Sequence, residues 1–272
     1  MTRRSWPAIL ERAAEIVRGY STPVTLRQLF YRLVSDGTLP NTTSAYSTLS
    51  AQTAEARRAG TFPDLLDRTR TIHRRVTFDG ADDARTWMAE IYRRDRTEGQ
   101  PRSVYLGIEK AGLVEQLSEW FGDLGLPILA LGGYSSQTYV KEIADDVSRA
   151  ERPAVLLYAG DFDASGEDIG RDFVERCGCF VEVVRVALTE AQVGEYGLPE
   201  NPGKTTDTRA EGFAARHGRL VQVELDALPP DVLHELFTEG IGRFFDVSTF
   251  NGVVEREQAE RTELSEAAGD AR

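Results

Sequence analysis

Two stretches of this chain put acids where a parallel sheet would present them. Glu109 directly follows the apolar run Val104–Ile108, and Asp161 and Asp163 follow the run Val155–Gly160. Residues i and i+2 of an extended chain face the same side, so both aspartates can aim at one spot, with Glu109 arriving from a nearby strand. Three converging carboxylates repel one another unless a cation joins them. Their oxygens suit a hard ion such as Mg²⁺, with Mn²⁺ able to substitute. Such an ion can hold a phosphate ester and stabilise its attacking or departing oxygens. The chemistry expected is therefore Mg²⁺-dependent work on a phosphate ester, with Glu109, Asp161 and Asp163 as metal ligands.

A second candidate lies near the N-terminus. In the segment Thr25–Arg32 and beyond, Leu26, Leu29, Phe30, Leu33 and Val34 fall on one face at about 100° per residue. Tyr31 falls beside that face, with Arg27 one turn earlier and Ser35 one turn later. The phenol can therefore be exposed, with a guanidinium about one turn away. A tyrosine can attack phosphorus once its proton is drawn off, and a guanidinium can hold the phosphate. Tyr46 lies outside any such pattern and reads as a packing residue or a phosphate contact.

The elements that must position these groups differ between the two parts of the chain. Helical spacing marks 5–19, a second helix from the Thr25 cap to Gly37, and a third from near Asn41 to Gly60. Thr71–Phe78 reads as a short strand turned at Asp79-Gly80. Three helices and a strand suggest a winged-helix DNA-binding domain over 1–82, with 42–59 as recognition helix. Residues 83–102 read as a linker. From 103 to 250 strands near 103–108, 126–131, 154–158 and 180–187 alternate with helices, which predicts a parallel-sheet α/β domain. Gln222–Leu225 is a weaker strand, Asp231–Phe245 a helix, and 251–272 an acidic tail that frays.

Composition sets outer limits. The 272 residues are 41% hydrophobic and 28% charged, ordinary for a folded globular protein. No apolar run approaches the ~18 residues of a membrane span, and the charged start does not read as a signal peptide. Two cysteines, Cys177 and Cys179, are too few for a disulfide scaffold or a zinc cluster. A cytoplasmic, nucleoid-associated protein is expected. The net charge of −12 argues against a polyanion partner until its distribution is read. Residues 1–75 hold 12 arginines against 6 acids, while the remainder holds 20 basic against 38 acidic residues. Such a split suggests a basic module that meets double-stranded DNA, with Arg32, Arg57, Arg58 and Lys110 as DNA contacts.

A glutamate ending one strand, Gly132-Gly133 ending the next and Asp161-x-Asp163 ending the third resemble the Toprim domain, over Tyr105–Ala187. The resemblance implies Mg²⁺ held by Glu109, Asp161 and Asp163 beside a scissile phosphate. It places Lys110 and the turn Gly132–Ser136 near the same edge. A winged helix followed by Toprim resembles the A subunit of topoisomerase VI and its relative that makes meiotic double-strand breaks. Arg27-Gln28-Leu29-Phe30-Tyr31 is similar to that family's tyrosine motif, with Gln28 replacing the usual acid. Resemblance covers roughly 20–240. It implies a DNA-cleaving enzyme in which Tyr31 attacks, Arg27 orients the phosphate and Glu109 serves the metal. It also implies a homodimer in which one protomer's tyrosine works with the other's metal, and an ATPase subunit for strand passage.

Two other functions fit the same residues. One is a Toprim nuclease that uses water, like the nuclease subunit of Wadjet-type plasmid-defence complexes. The other is a non-enzymatic winged-helix regulator. Asp161–Ser165 also resembles the first motif of haloacid-dehalogenase phosphatases, but it follows the third strand and no convincing acidic pair is read downstream. Gly197–Thr205 misses the P-loop spacing and contains Pro199 and Pro202, which lack the N–H that cradles phosphate. His73, His217 and His234 match no metal or nucleophile motif.

Overall fold

The computed structural model describes residues 5–20, 23–66 and 75–269. The chain is mixed α/β. Helices α1 (Trp6–Gly19), α2 (Leu26–Ser35) and α3 (Thr43–Arg58) come first. Thr25 starts α2 with a capping box: its Oγ1 accepts from Gln28 N at 3.2 Å, and Gln28 Oε1 accepts from Thr25 N at 2.8 Å. Gly37 and Gly60, at φ +71° and +69°, let the chain leave α2 and α3 through the left-handed region. The strand expected at Thr71–Phe78 is not formed over 75–78, which are irregular; Thr71–Arg74 fall outside the described residues.

Four parallel strands follow: β1 (Ser103–Ile108), β2 (Ile128–Ala130), β3 (Ala154–Ala159) and β4 (Phe180–Ala187), in the order β2-β1-β3-β4. Between them run α5 (Val114–Phe121), α6 (Gln137–Arg149) and α7 (Ala164–Cys177). The β1 and β3 residues are buried throughout because both sheet faces are covered. Val104, Leu106, Ile108, Val155 and Leu157 join one apolar cluster, and Tyr105, Leu156 and Tyr158 join the other. That alternation is the period of two of a strand. The chain continues through α8 (Glu190–Glu195), a short β5–β6 pair (Asn201–Pro202 with Val221–Gln222), α9 (Ala210–His217) and α10 (Pro230–Gly242). The strand expected at 222–225 is thus shorter, and Leu225–Ala227 form a 3-10 turn.

The first three helices do not stand apart. Leu29 and Leu33 of α2 share one buried cluster with Leu113, Leu117, Leu225 and the sheet. Gln28 Nε2 donates to Gln116 Oε1 at 3.1 Å across that contact. The C-terminal end is also ordered differently from expectation. Val247–Gly269 form one long helix, α11, packed on α4 (Ala81–Ile91). The acidic composition suggests fraying, yet Val253 and Glu257 are buried. Arg96 Nη2 donates to Glu257 Oε1 at 2.7 Å, and Arg94 N donates to Oε2 at 3.0 Å, so this acid is an anchor. Among the described residues no helix is long and apolar enough to cross a membrane.

Candidate functional site

The strand order reverses direction at β1, which has β2 on one side and β3 on the other. In an open parallel sheet the crevice at the carboxyl ends of such a pair is where ligands bind. Glu109 and Asp161 leave β1 and β3 there, and Glu109 N still donates to Ala159 O at 2.9 Å. Glu109 Oε2 accepts from Asp161 N at 2.8 Å. Glycines make room for it. A Cβ on Gly160 would come within 2.8 Å of Glu109 Oε2, and one on Gly166 within 3.0 Å. Burial pushes the Glu109 carboxyl up and the charge of Asp163 adds to this; the Asp161 N–H and Lys110 oppose it.

Asp161 is 7% exposed. Its Oδ1 accepts from Leu225 N at 2.7 Å, and its Oδ2 lies 3.0 Å from Lys110 Nζ. Burial raises its pKa to about 7; Lys110 pulls it down, while Glu109 and Glu224 push it up. Asp163 caps α7, accepting from Gly166 N at 2.7 Å through Oδ1. The i, i+2 pair therefore divides its work: one acid is sunk at the strand end, the other starts the next helix.

Two further acids meet them that sequence reasoning misses. Glu224 directly precedes the 3-10 turn after β6, Asp226 lies within it, and both close on the same cations. Lys110 Nζ pairs with Glu224 and lies 3.4 Å from Asp226 Oδ2. Arg27 Nη2 donates to Glu224 Oε2 at 2.6 Å, and its Nε donates to Asp226 Oδ2 at 2.9 Å. This is the downstream acidic pair that the sequence reading does not find. The Glu-Leu-Asp spacing repeats that of Asp161 and Asp163, but the two-residue β6 gives little pattern to mark it. Arg185 of β4 is likewise absent from the sequence reading. Its Nη2 donates to Asp161 O at 2.7 Å and its Nε to Leu188 O at 2.8 Å, fixing the backbone that carries Asp161.

Tyr31 differs from expectation. The spacing leaves its phenol free to be exposed, but the residue is only 7% exposed and packs edge-on to Phe30 at 5.5 Å. The apolar face of α2 is wide because α2 packs between α1, α3 and the Leu225–Ala227 turn. The Arg27 guanidinium does lie over the Tyr31 ring, 5.5 Å from its centroid. Burial pushes the phenol pKa up and Glu224 adds to this; Arg27 and Lys110 oppose it.

Arg27, Tyr46, Ser50, Arg57, Lys110 and Asp226 line a groove of about 570 Å³ between α3 and the turn at Lys110–Leu113. Tyr46 packs edge-on against Phe30 at 5.3 Å and faces this groove. Arg57 Nε donates to Thr53 O at 3.4 Å, and Arg58 is exposed. Arg32 turns instead to Tyr20. In the turn after β2, a Cβ on Gly132 would meet Glu109 O at 2.6 Å, so this turn does border the site. His217 bridges Glu167 and Glu190, and His234 stacks on Phe121; His73 lies outside the described residues.

An all-oxygen donor set, partly buried and with more negative than positive charge, fits a hard divalent ion in its chemistry. Among the described residues Glu109 Oε1 and Asp163 Oδ2 accept no hydrogen bond, which leaves an oxygen on each for a ligand. The arrangement is not closed into a cage. Among the described residues no group of three or more His, Cys, Asp or Glu side chains is set to hold a metal. At Asp161 the Lys110 ammonium supplies the compensating charge. No family model matches this chain, and no curated protein matches it.

Proposed function

We propose that the protein cleaves DNA by a metal-dependent transesterification at this site, as its resemblance to the Toprim domain and the topoisomerase VI A family implies. The observation that carries this reading is the convergence of Glu109 and Asp161 at the β1–β3 crevice with Arg27 and Lys110 beside them. Glu109, Asp161 and Asp163 would hold Mg²⁺ or Mn²⁺, which supplies charge stabilisation to the phosphate oxygens. Arg27 and Lys110 bind and orient the phosphate from the groove side. Tyr31, one turn beyond Arg27, is the attacking group; its proton must leave to an acceptor, and Glu224 is the carboxylate whose charge it feels most. The phenol oxygen forms a bond to phosphorus, and the bond to the departing DNA oxygen breaks. For that, the α2 surface around Tyr31 must open towards the substrate.

The family implies a tyrosine shared across a homodimer. Ion pairs run from Arg27 through Glu224 to Lys110 and Asp161, which tie α2, the helix that bears Tyr31, to the carboxylates of the same chain. Two protomers would then still be needed for a double-strand break. The near-burial of Tyr31 supports a second reading, in which water attacks and the protein is a hydrolytic Toprim nuclease.

The test is cleavage of supercoiled plasmid in Mg²⁺ or Mn²⁺, stopped with detergent and run with and without protease. Protein released from DNA ends only by protease, and lost in both Tyr31→Phe and Asp161→Ala, is the expected result. Free ends that need Asp161 but not Tyr31 would select the hydrolytic reading. No cleavage by the wild type would reject both. Mixing Tyr31→Phe with Glu109→Ala should restore no nicking if each chain completes its own site; restored nicking would mean that sites are shared.

A further inference from the structure

Lys110 is placed unlike an ordinary DNA-contact lysine. Its ammonium lies 3.0 Å from Asp161 Oδ2 and 3.4 Å from Asp226 Oδ2, and pairs with Glu224 as well. All three acids are largely buried, with side chains 10%, 6% and 15% exposed. Removing the compensating cation from such a group is costly. Yet Lys110, Arg27 and Arg185 do not balance the site, which also contains Glu109 and Asp163. The residual negative charge attracts a further cation. A divalent ion on Asp161 would meet the ammonium as a like charge at close range, and the two compete for one carboxylate oxygen. The lysine stem is flexible and 21% exposed, and it also lines the 570 Å³ groove with Arg27 and Arg57. A lysine set free from Asp161 can turn into the groove that it already lines.

We propose that Lys110 is a built-in counter-ion, which leaves Asp161 when a divalent metal binds and then pairs with DNA phosphate in the groove, so that metal and DNA each strengthen the other's binding. This rests on the DNA-cleavage reading for the identity of the polyanion. It assigns Lys110 a second position, besides the one it holds here. Linkage requires the effect to be reciprocal: the factor by which metal tightens DNA binding equals the factor by which DNA tightens metal binding.

The experiment uses Ca²⁺, another hard oxygen-liganded ion, and a fluorescently labelled duplex. Ca²⁺ binding is measured by calorimetry, and DNA binding by anisotropy in Ca²⁺ and in EDTA. For the wild type, Ca²⁺ is expected to tighten DNA binding about tenfold, within the usual range of such coupling. The plot of log affinity against log salt should be steeper in Ca²⁺ than in EDTA by about 0.9, the value of one phosphate contact. Lys110→Met should bind Ca²⁺ several-fold tighter than the wild type without DNA, and should lose most of the Ca²⁺-dependent gain in DNA affinity. Equal or weaker Ca²⁺ binding by Lys110→Met, or an undiminished gain, overturns the proposal. If that variant does not fold, the wild-type salt slopes decide alone, and equal slopes in Ca²⁺ and EDTA overturn it. A wild type that binds no Ca²⁺ overturns it too. Full linkage without any cleavage in Mg²⁺ or Mn²⁺ would keep the counter-ion role and reject the cleavage reading, so the two failures are distinct.

Discussion

Asp161 is the residue on which the site's charge balance turns. Its folded-state pKa, raised by burial to about 7, stands above the value near 3.9 of an unfolded chain. The sign follows from linkage. A raised pKa means that the native state binds more protons than the unfolded state between those two values. The stability from this group is thus complete below about pH 4 and is lost as pH rises through about 7. In a chelator, wild-type stability should therefore fall relative to Asp161→Asn between pH 4 and pH 8, by a few kcal/mol. Asparagine can still accept from Leu225 N, and Lys110 keeps Glu224 and Asp226. Denaturant titrations across that range check it, and parallel stability profiles would mean that Asp161 is ionised at no cost. At this scale Glu109, Asp161 and Asp163 are legible in the sequence because apolar runs announce the strand ends that carry them. Glu224 and Asp226 are not, because nothing local says that their turn closes on β1 and β3.

Among the elements, the start of α7 is the most constrained. Asp163 caps it, and Gly166 in its first turn lies so close to the site that an added Cβ would meet Asp161 O at 2.4 Å. That oxygen is backbone and cannot swing aside, so Gly166→Ala must push α7 away from β3. The expected cost is about 1–3 kcal/mol, and, on the metal-dependent function proposed above, divalent-metal binding should weaken as Glu109 loses its seat. Helix propensity alone predicts the reverse, a gain of up to about 1 kcal/mol. Gly252 in α11 supplies the control, because a Cβ there meets nothing within 4 Å. Gly252→Ala should stabilise by about 0.5–1 kcal/mol. If thermal melts show both alanines stabilising, the close approach at Gly166 is not a constraint. The four strands and their helices are readable from apolar runs and caps. Helix α11 is not, because its sequence is mostly polar and the residues that hold it, Val253, Glu257 and Glu260 among them, depend on partners far away in the chain.

The whole molecule joins what the sequence separates. A basic N-terminal part, a polar stretch and an acidic remainder suggest two domains on a linker. The structure instead lays α2 against the sheet's carboxyl edge. Arg27 meets Glu224 and Asp226, which lie 197 and 199 residues further along the chain. No periodicity or charge count could disclose a pairing of that span. Leu29, fully buried in α2, belongs to the same cluster as Leu117 of α5 and Leu225 beside the site. A core shared in this way should unfold as a unit. Leu29→Ala removes buried apolar volume and should cost about 2–5 kcal/mol. The loss should appear at one midpoint in far-UV circular dichroism and in tryptophan fluorescence. Trp6 lies in α1 and Trp120 in α5, so the fluorescence samples both parts of the chain. Two separate transitions, with only the first shifted by Leu29→Ala, would mean that the helices fold independently of the sheet. The site would then be assembled by docking two units, and Arg27 would reach Glu224 only in the docked state. A single shifted transition would mean that the placement of Arg27 and Tyr31 beside the carboxylates is part of the fold itself.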